Sequence, residues 1–573
     1  MSDAAAVGVV GSGPAVEAIE AAIVGSDYEF KQLGIEALDS VTLAVVAVPA
    51  DDDRLARANA VRTDPWLAVE LGGIGGRALP DLEGALSLLA GSGPCYQCLT
   101  TRVASALEEP PEGRCTISGP DARFLGAQVG RLALRWLEGE ATLGTVIEQP
   151  HAERRLLPVP GCDCDVERVR GVDRSHESVS LETTVERAEG AVDGRLGPVA
   201  SIGEAESFPA PYYLASVVDT TGFSDVQASR QAAGVAAEWN PAFMKAIGEA
   251  LERYSAGVYR PSSFRTAPAS DLPSAVPPDQ FVRPDEGFED PDPDAQIDWV
   301  AGEALSTGEQ VHLPAARAQF PPPAERFGPA ITTGLGLGTD GTGALVAGLT
   351  EVIERDATML GWYSTFEPLG LTVDDPGFDQ LARRARAESL EVTALLLTQD
   401  VDVPVVGVAV HREGEWPQFA VGSDAALDPV AASRGALEEA LQNWMELRGM
   451  GPDGAAEEDP ALARYADFPP VVQGFLAVED AVPAASVGPA DPPTGPAAVS
   501  ALVEALSDVE LDAYAARLTT RDVAALGFEV VRVLVPGAQP LFTGDRFFGE
   551  RARTVPRELG FRPRLDRPRH PYP

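Results

Sequence analysis

The stretch TTGLGLGTDGTGALVAGLTEVIERDA, Thr332–Ala357, decides how the rest of the chain is read. A glycine-rich run leads into an apolar segment of helical pattern whose middle carries Glu351, Glu354, Arg355 and Asp356 together. On a helix, positions i, i+3 and i+4 share a face, so Glu351, Glu354 and Arg355 project to one side. The same Glu-x-x-Glu-Arg string occurs in AFMKAIGEALERYSAG as Glu249, Glu252 and Arg253. A third segment, SRGALEEALQNWMELRG, places Glu439 and Gln442 at the i, i+3 spacing. The surroundings are apolar: Phe243, Ile247, Leu251 and Tyr254 in one helix, Leu345, Leu349, Val352 and Ile353 in the other.

A carboxylate among apolar side chains is costly unless it is paired or bound to a cation. Acids on converging helices suit magnesium, which takes a few carboxylates and completes its shell with water and phosphate oxygens. Arginines beside them can grip phosphate with two N–H groups. Lys245 lies four residues before Glu249 on the same face and is a further candidate for a phosphate. One such string alone reads best as a solvated helix face with internal Glu–Arg pairs. Three clusters on apolar helices favour a cation and phosphate site.

The chain has 573 residues, too many for one ordinary core, with a normal hydrophobic fraction of 45%. Its 44 basic residues stand against 87 acids, a net charge of −43, which repels nucleic-acid phosphates and argues against nucleic acid as a partner. Lysine is confined to Lys31 and Lys245. Acidic, lysine-poor, alanine- and glycine-rich chains look like proteins of salt-loving archaea, in which salt screens the repulsion between dense surface carboxylates. The longest apolar run, Val41–Ala50, is too short to cross a bilayer. The start MSDAAAVGVVGSG lacks the basic stretch of a signal peptide, so a cytoplasmic location with no membrane association is expected.

The N-terminal region reads as alternating strands and helices. AVGVVGSGPAVEAIEAAIV is a strand, a turn at Gly11 and Gly13, and a helix, and SVTLAVVAVPADDD is a buried strand. This suits a doubly wound, Rossmann-like α/β domain over residues 1–165. Val16 stands at the third small position and no acid clearly ends a second strand, so the glycine turn serves structure at least as well as a dinucleotide. All five cysteines lie in the first third: Cys95, Cys98, Cys115, Cys162 and Cys164. In a reducing cytosol such clustering favours metal ligation over disulfides. PCYQCLTTRVASALEE reads as a metal knuckle entering a helix.

Residues 166–192 form a charged linker, helical at its end, and a second domain runs over residues 193–573. The proline- and aspartate-rich PSSFRTAPASDLPSAVPPDQFVRPDEGFEDPDPD reads as a surface excursion, and IDWVAGEALSTGEQVHLPAARAQF as strands around the turn STGE.

GEALERYSAG, TTGLGLGTDGTGALVAGLTEVIERDA, RGALEEALQ, VVRVLVPGAQPLF and the terminal RPRHPYP follow, in order, the signature segments of YcaO proteins. The chain resembles that family over roughly residues 190–573. The resemblance implies a larger α+β ATP-binding domain and an enzyme that activates peptide backbone amides with ATP and Mg2+. It implies that Glu249, Glu252, Glu351, Glu354 and Glu439 organise magnesium and ATP with Gln442 nearby. Arg253 and Arg355 would contact phosphate or brace the acids, and Gly334, Gly336 and Gly338 would form a close-packed loop. In fused azoline-forming members a degenerate ubiquitin-activating-like domain with a four-cysteine Zn2+ site precedes the YcaO domain. GPCYQCL and LPVPGCDCD match it and would place Cys95, Cys98, Cys162 and Cys164 on one zinc, with Cys115 a spare thiol.

The expected reaction is cyclodehydration of Cys, Ser or Thr in a ribosomally made peptide to azolines, by a phosphoryl-transfer route that relies on positioning and charge neutralisation. Expected partners are the peptide or protein substrate, a leader-binding or sulfur-donor protein, and a second copy in a homodimer. The alternatives are thioamidation with an external sulfur donor and a non-catalytic ATP-binding scaffold. A nicotinamide dehydrogenase, suggested by Gly11 and Gly13 alone, is a distant third. The chain departs from the family pattern in several places, among them the imperfect proline-rich ending Pro568–Pro573. The second cysteine pair is Cys-x-Cys, Thr342 and Gly343 stand where many relatives carry paired glutamates, and Val235 stands where a lysine is often found.

Overall fold

A computed structural model describes residues 5–107, 117–150, 152–164, 171–478 and 480–572. Cys115, the start of the predicted linker and the final Pro573 lie outside the described residues.

The N-terminal region forms a seven-stranded sheet. In spatial order its strands are Glu29–Gln32, Ala6–Gly11, Leu43–Pro49, Trp66–Leu71, Gly84–Leu89, Thr145–Gln149 and Ala152–Arg155. The first four are parallel, in the registers Ala6↔Glu29, Val7↔Leu43 and Ala44↔Trp66; the near-continuous apolar runs of the inner three are buried, while the edge strand Glu29–Gln32 is polar and partly exposed. From Trp66–Leu71 onward each pairing is antiparallel, so the sheet is mixed where a doubly wound sheet was expected. Strand Trp66–Leu71 is followed by the small hairpin Gly73–Ala78 and then by strand Gly84–Leu89, which leaves no room for the crossover helix that parallel pairing needs. Helices Pro14–Ile23 and Gly119–Leu137 pack together on this sheet. A Cβ at Gly11 would lie 2.2 Å from the carbonyl oxygen of Ala47, so close strand packing accounts for that glycine.

The rest of the chain is built around three strand-then-helix units. Strand Gln231–Val235 is followed by helix Trp239–Gly257, strand Leu335–Gly338 by helix Gly341–Trp362, and strand Phe419–Ala425 by helix Pro429–Glu458, which kinks at Gly451. These strands belong to sheets of three, six and five strands respectively. In each unit one strand glycine lets a helix backbone lie directly on the sheet. An added Cβ would meet Ala246 N at 2.2 Å from Gly234, Ala344 O at 2.3 Å from Gly336, and Ala440 N at 2.4 Å from Gly422. Helix Gly341–Trp362 is the most enclosed, with Leu345, Leu349, Ile353, Met359 and Trp362 all at 1% exposure or less. Strands Ile297–Ala304 and Gln310–Pro314 pair antiparallel around the turn read from STGE, and the charged segment after residue 170 ends in helix Leu181–Glu189. Among the described residues, no helix is long and apolar enough to cross a membrane.

Candidate functional site

The three helices carry their acids in one repeated arrangement. Glu249 Oε2 accepts the backbone N–H of Ala233 at 2.9 Å, Glu351 Oε2 that of Gly334 at 2.9 Å, and Glu439 Oε2 that of Ser423 at 2.5 Å. Donor and acceptor are 16, 17 and 16 residues apart, so each helix ties its first acid to the strand of its own unit. One carboxylate oxygen is thereby fixed. Another in the set points to an arginine: Glu249 Oε1 lies 3.5 Å from Arg253, and Glu439 Oε1 lies 3.8 Å from Arg355.

The second acid of each pair sits deeper. Glu354 is 6% exposed, accepts the Ser423 hydroxyl at 2.6 Å and lies 3.6 Å from Arg355. Glu252 lies 3.8 Å from Arg253. In the third helix these positions are Gln442, which donates to Glu446 at 3.1 Å, and Asn443, which donates to the carbonyl of Val421 at 2.9 Å.

Burial and neighbouring carboxylates leave Glu252, Glu354 and Glu439 reluctant to ionise. Burial, with Glu351 and Glu249 adding repulsion against the pull of Arg253, pushes Glu252 up to about 8. Burial, joined by Glu439 and Asp424, holds Glu354 well above the usual carboxylate range. Burial raises Glu439 as well. Burial disfavours the charge on Arg355, but Glu354, Glu439 and Glu351 outweigh it and raise that guanidinium. Nη1 of Arg355 and Nη1 of Arg253 are buried without a hydrogen-bond partner. A set of half-satisfied acids beside arginine N–H groups with unused capacity fits a hard cation carrying phosphates. Among the described residues, no three of these carboxylates bring oxygens within 4.8 Å of one another.

Several neighbours were not singled out in the sequence. Asp424 follows Ser423; burial and Glu439 hold it up at about 7 against the pull of Lys245. Arg532 is 1% exposed, donates to the carbonyls of Thr332 and Ile331 at 2.6 and 2.8 Å, and is lowered to about 10 by burial. Its signal was available as a lone arginine in the apolar run VVRVLV. The terminal segment also comes in: Trp362 Nε1 donates to the carbonyl of Pro568 at 2.9 Å, and buried Tyr572 feels the charges of Glu354 and Glu439.

Lys245 pairs with Glu438 at 2.5 Å. Gly334 precedes strand Leu335–Gly338, which holds Gly336 and Gly338, so two of these glycines sit in a strand rather than the expected loop; a Cβ at Gly334 would lie 2.1 Å from the Val533 carbonyl oxygen and one at Gly338 2.4 Å from Ala344 N. The departures are filled positions. Val235 is 1% exposed in a core shared with Tyr212 and Leu437. Thr342 donates its hydroxyl to the carbonyl of Ser175 at 2.8 Å, and the N–H of Gly343 is capped by Asp340 at 2.7 Å.

The four cysteines form a second centre. Cys95 Sγ lies 3.8 Å from Cys98 and 3.6 Å from Cys162, and Cys98 lies 3.5 Å from Cys164. These distances are far beyond a disulfide and near the roughly 3.8 Å between sulfurs of a tetrahedral zinc with Zn–S of about 2.3 Å. The N–H of Val159 donates to Cys98 and Arg521 to Cys164, each at 3.3 Å, as thiolate sulfurs require. The donor set thus fits a zinc ion. Cys95 precedes helix Tyr96–Ala106 and Cys98 lies in its first turn, while Cys162 and Cys164 come from the loop after strand Ala152–Arg155.

A fold that sets acids on three strand-helix units, paired on two of them, and precedes these with a mixed sheet bearing a thiol cluster, matches an ATP-binding class of protein when set beside known proteins. The family model described as YcaO cyclodehydratase, ATP- and Mg2+-binding, matches residues 233–539. That is more than half of the chain, and the protein belongs to the YcaO family. An uncharacterized protein of Methanothermobacter thermautotrophicus (strain Delta H) is 28% identical over 340 residues, 56% of this chain and 85% of that protein. A heterocyclase solved in complex with substrate and cofactor superposes with a TM-score of 0.72 at 18% identity, over 97% of this chain and 83% of its own. The heterocyclase TruD gives a TM-score of 0.64 at 20% identity, over 97% of this chain and 82% of its own. At these identities the likeness is one of fold, and it extends through the N-terminal region.

Proposed function

We propose that this protein uses ATP and Mg2+ to activate backbone amides of a ribosomally made peptide, converting Cys, Ser or Thr residues to azolines. The observation that carries this reading is the repeated anchoring of Glu249, Glu351 and Glu439 to backbone N–H groups in or next to the strands of their units, with Glu354 buried and Glu252, Arg253 and Arg355 half-buried beside them. Bound magnesium would screen the repulsion among these acids and supply charge neutralisation at the phosphates. The first acids would hold their positions through their backbone bonds, the second acids lie deeper beside Arg253 and Arg355, and the two arginines would offer N–H groups to phosphate oxygens. Catalysis of this kind is positioning and electrostatics. The azoline route is preferred to thioamidation because the N-terminal sheet and thiol cluster accompany the YcaO domain, as the sequence resemblance to fused cyclodehydratases implies.

We further infer a zinc ion on Cys95, Cys98, Cys162 and Cys164, and a division of the chain into residues 1–165, a linker, and residues 193–573. Lys245, held by Glu438, stands at the margin of the proposed site. The second reading, an ATP-responsive scaffold for a peptide-modifying complex, draws on Val235 and on Thr342 and Gly343, whose positions serve the core and a helix cap. Phosphate release in concentrated potassium chloride, with and without candidate peptides, separates the two. Peptide-stimulated release together with loss of 18 mass units per modified residue supports azoline formation, on the general stoichiometry of losing one water. Nucleotide binding without release, across candidate peptides, supports the scaffold.

A further inference from the structure

Helix Arg521–Ala525 lies between the thiol cluster and the helix that carries Glu249 and Glu252, and its first two residues face different partners. Arg521 donates through Nη1 to Cys164 Sγ at 3.3 Å and through Nη2 to the carbonyl of Ser92 at 3.3 Å. Asp522, wholly buried, takes a hydrogen bond from Arg102 and one from the Tyr254 hydroxyl at 2.6 Å, and its other oxygen accepts the N–H of Val523 at 3.0 Å. Arg102 also donates to the Tyr254 hydroxyl at 3.1 Å, and its guanidinium carbon lies 5.0 Å from the centre of the Phe223 ring. Arg102 stands one turn beyond Cys98 on helix Tyr96–Ala106. Tyr254 stands directly after Glu252 and Arg253 on helix Trp239–Gly257.

Two paths therefore lead from the thiols to one aromatic hydroxyl. One runs from Cys164 through Arg521 to the adjacent Asp522. The other runs from Cys98 along its helix to Arg102. Both end on Tyr254. The elements on these paths are buried and hydrogen-bonded with little slack, so a displacement of either is passed on (Arg102, Asp522 and Tyr254 have essentially no exposure). Four thiolates on a divalent ion keep a net negative charge, which Arg521 complements at Cys164. Loss of the ion removes the bonds that fix the four sulfurs relative to one another, and with them the place where Arg521 is held.

We propose that helix Arg521–Ala525 couples occupancy of the thiol cluster to the position of the carboxylate helix, with Arg102 and Tyr254 as positioning residues for Glu249 and Glu252. The proposal rests on the zinc and ATP readings above. By linkage, an ion bound at the cysteines favours nucleotide binding at the acids, and nucleotide favours the ion in return.

The test uses the full chain in concentrated potassium chloride and follows amide hydrogen exchange along residues 239–257, which reports local opening whatever the reaction. Chelation of zinc from the wild type should speed exchange around Glu249–Arg253 by about tenfold or more, an opening that global unfolding does not explain if helix Gly341–Trp362 stays protected. Tyr254→Phe, which deletes one oxygen, should keep its zinc. It should already show the faster exchange, and it should respond to chelation by less than about twofold. It should also raise the KM for magnesium ATP about tenfold with kcat within about threefold, the mark of a displaced binding group rather than a lost catalytic one. Chelation that loosens helix Tyr96–Ala106 and leaves residues 239–257 as protected as before overturns the coupling. So does wild-type exchange and KM in Tyr254→Phe, and so does a protein purified without zinc whose exchange is unmoved by adding it. A chelation response in a wild type that never turns over ATP upholds the coupling and removes the enzymatic reading instead.

Discussion

Glu354→Gln separates a functional acid from a structural one by moving stability and activity in different directions. In the metal-free protein Glu354 is 6% exposed, and burial with Glu439 and Asp424 nearby holds it well above the usual carboxylate range. A neutral glutamine preserves its volume and can still accept the Ser423 hydroxyl, now at 2.6 Å. The substitution should therefore change metal-free stability by less than about 1 kcal/mol near pH 4, where the wild-type carboxyl is largely neutral in both the folded and unfolded states. A raised folded-state pKa means that wild-type stability is lost as pH rises above the unfolded value, and the variant escapes this loss. From there toward neutral and higher pH the variant should become increasingly the more stable protein. Magnesium ATP should stabilise the wild type and not the variant. Turnover should fall about 10²–10³-fold, the equivalent of roughly 2.7–4 kcal/mol for a missing electrostatic contact at the reacting group. Glu351→Gln should lose activity on the same scale, at the added expense of weakening a charge-assisted bond to the N–H of Gly334. The assay is phosphate release with substrate peptide beside thermal unfolding with and without magnesium ATP. Wild-type turnover in both variants refutes the site. So does a stability loss of about 3–5 kcal/mol in Glu354→Gln, which is what breaking a buried ion pair produces.

Three further outcomes are expected. Purified protein should carry zinc near one equivalent per chain, and Cys95→Ser should lose it and lower the stability of the N-terminal region; metal analysis and thermal unfolding check both. Glu252, raised to about 8 in the fold, makes metal-free stability fall as pH rises from about 4.5 to 8; its side chain keeps 17% exposure, so the screened effect is about 2–3 kcal/mol, and Glu252→Gln should flatten that part of a pH–stability curve. With a net charge of −43, dilution of potassium chloride should lower the unfolding temperature; an unchanged midpoint from low to multimolar salt contradicts the salt-adapted reading.

The site was legible where its geometry is local. Glu249, Glu252, Glu351 and Glu354 announced themselves because helical spacing alone puts them on shared faces, and the cysteine pairs because each is close in sequence. The strand bonds that fix Glu249, Glu351 and Glu439 span a loop, and no periodicity encodes which backbone N–H will lie under the acid. Asp424 read as one acid among many until the sheet set it beside Glu439. Tyr572 is remote in sequence from Glu354, and only the folded terminal segment joins them. In the N-terminal sheet the strands themselves were visible as apolar runs. Their direction after Trp66–Leu71 was set by a short connection, which a pattern of hydrophobicity does not reveal.

The acids and the departures bear on different questions. Buried carboxyls held near neutrality at Glu252 and Asp424, and still higher than usual at Glu354 and Glu439, cost folding energy that neutral side chains of similar size would not. A fold kept for packing alone gains nothing from that cost, whereas a cation offsets it whether or not chemistry follows. The carboxylates therefore argue for magnesium and phosphate equally under the enzyme and the scaffold readings. What separates the two is the rim. The start of helix Gly341–Trp362 is overlaid by the chain at Asp173–Glu177: Asp340 accepts the N–H of Glu177 at 2.7 Å, and Thr342 is bonded to Ser175. Thr342 and Asp340 thus hold the preceding segment in place, and on the proposed reading the phosphate-facing work would fall on Arg253, Arg355 and the anchored glutamates. If those groups suffice, turnover survives the departures and fails with Glu354→Gln. If they do not, nucleotide binds without release, and the same variant abolishes binding alone.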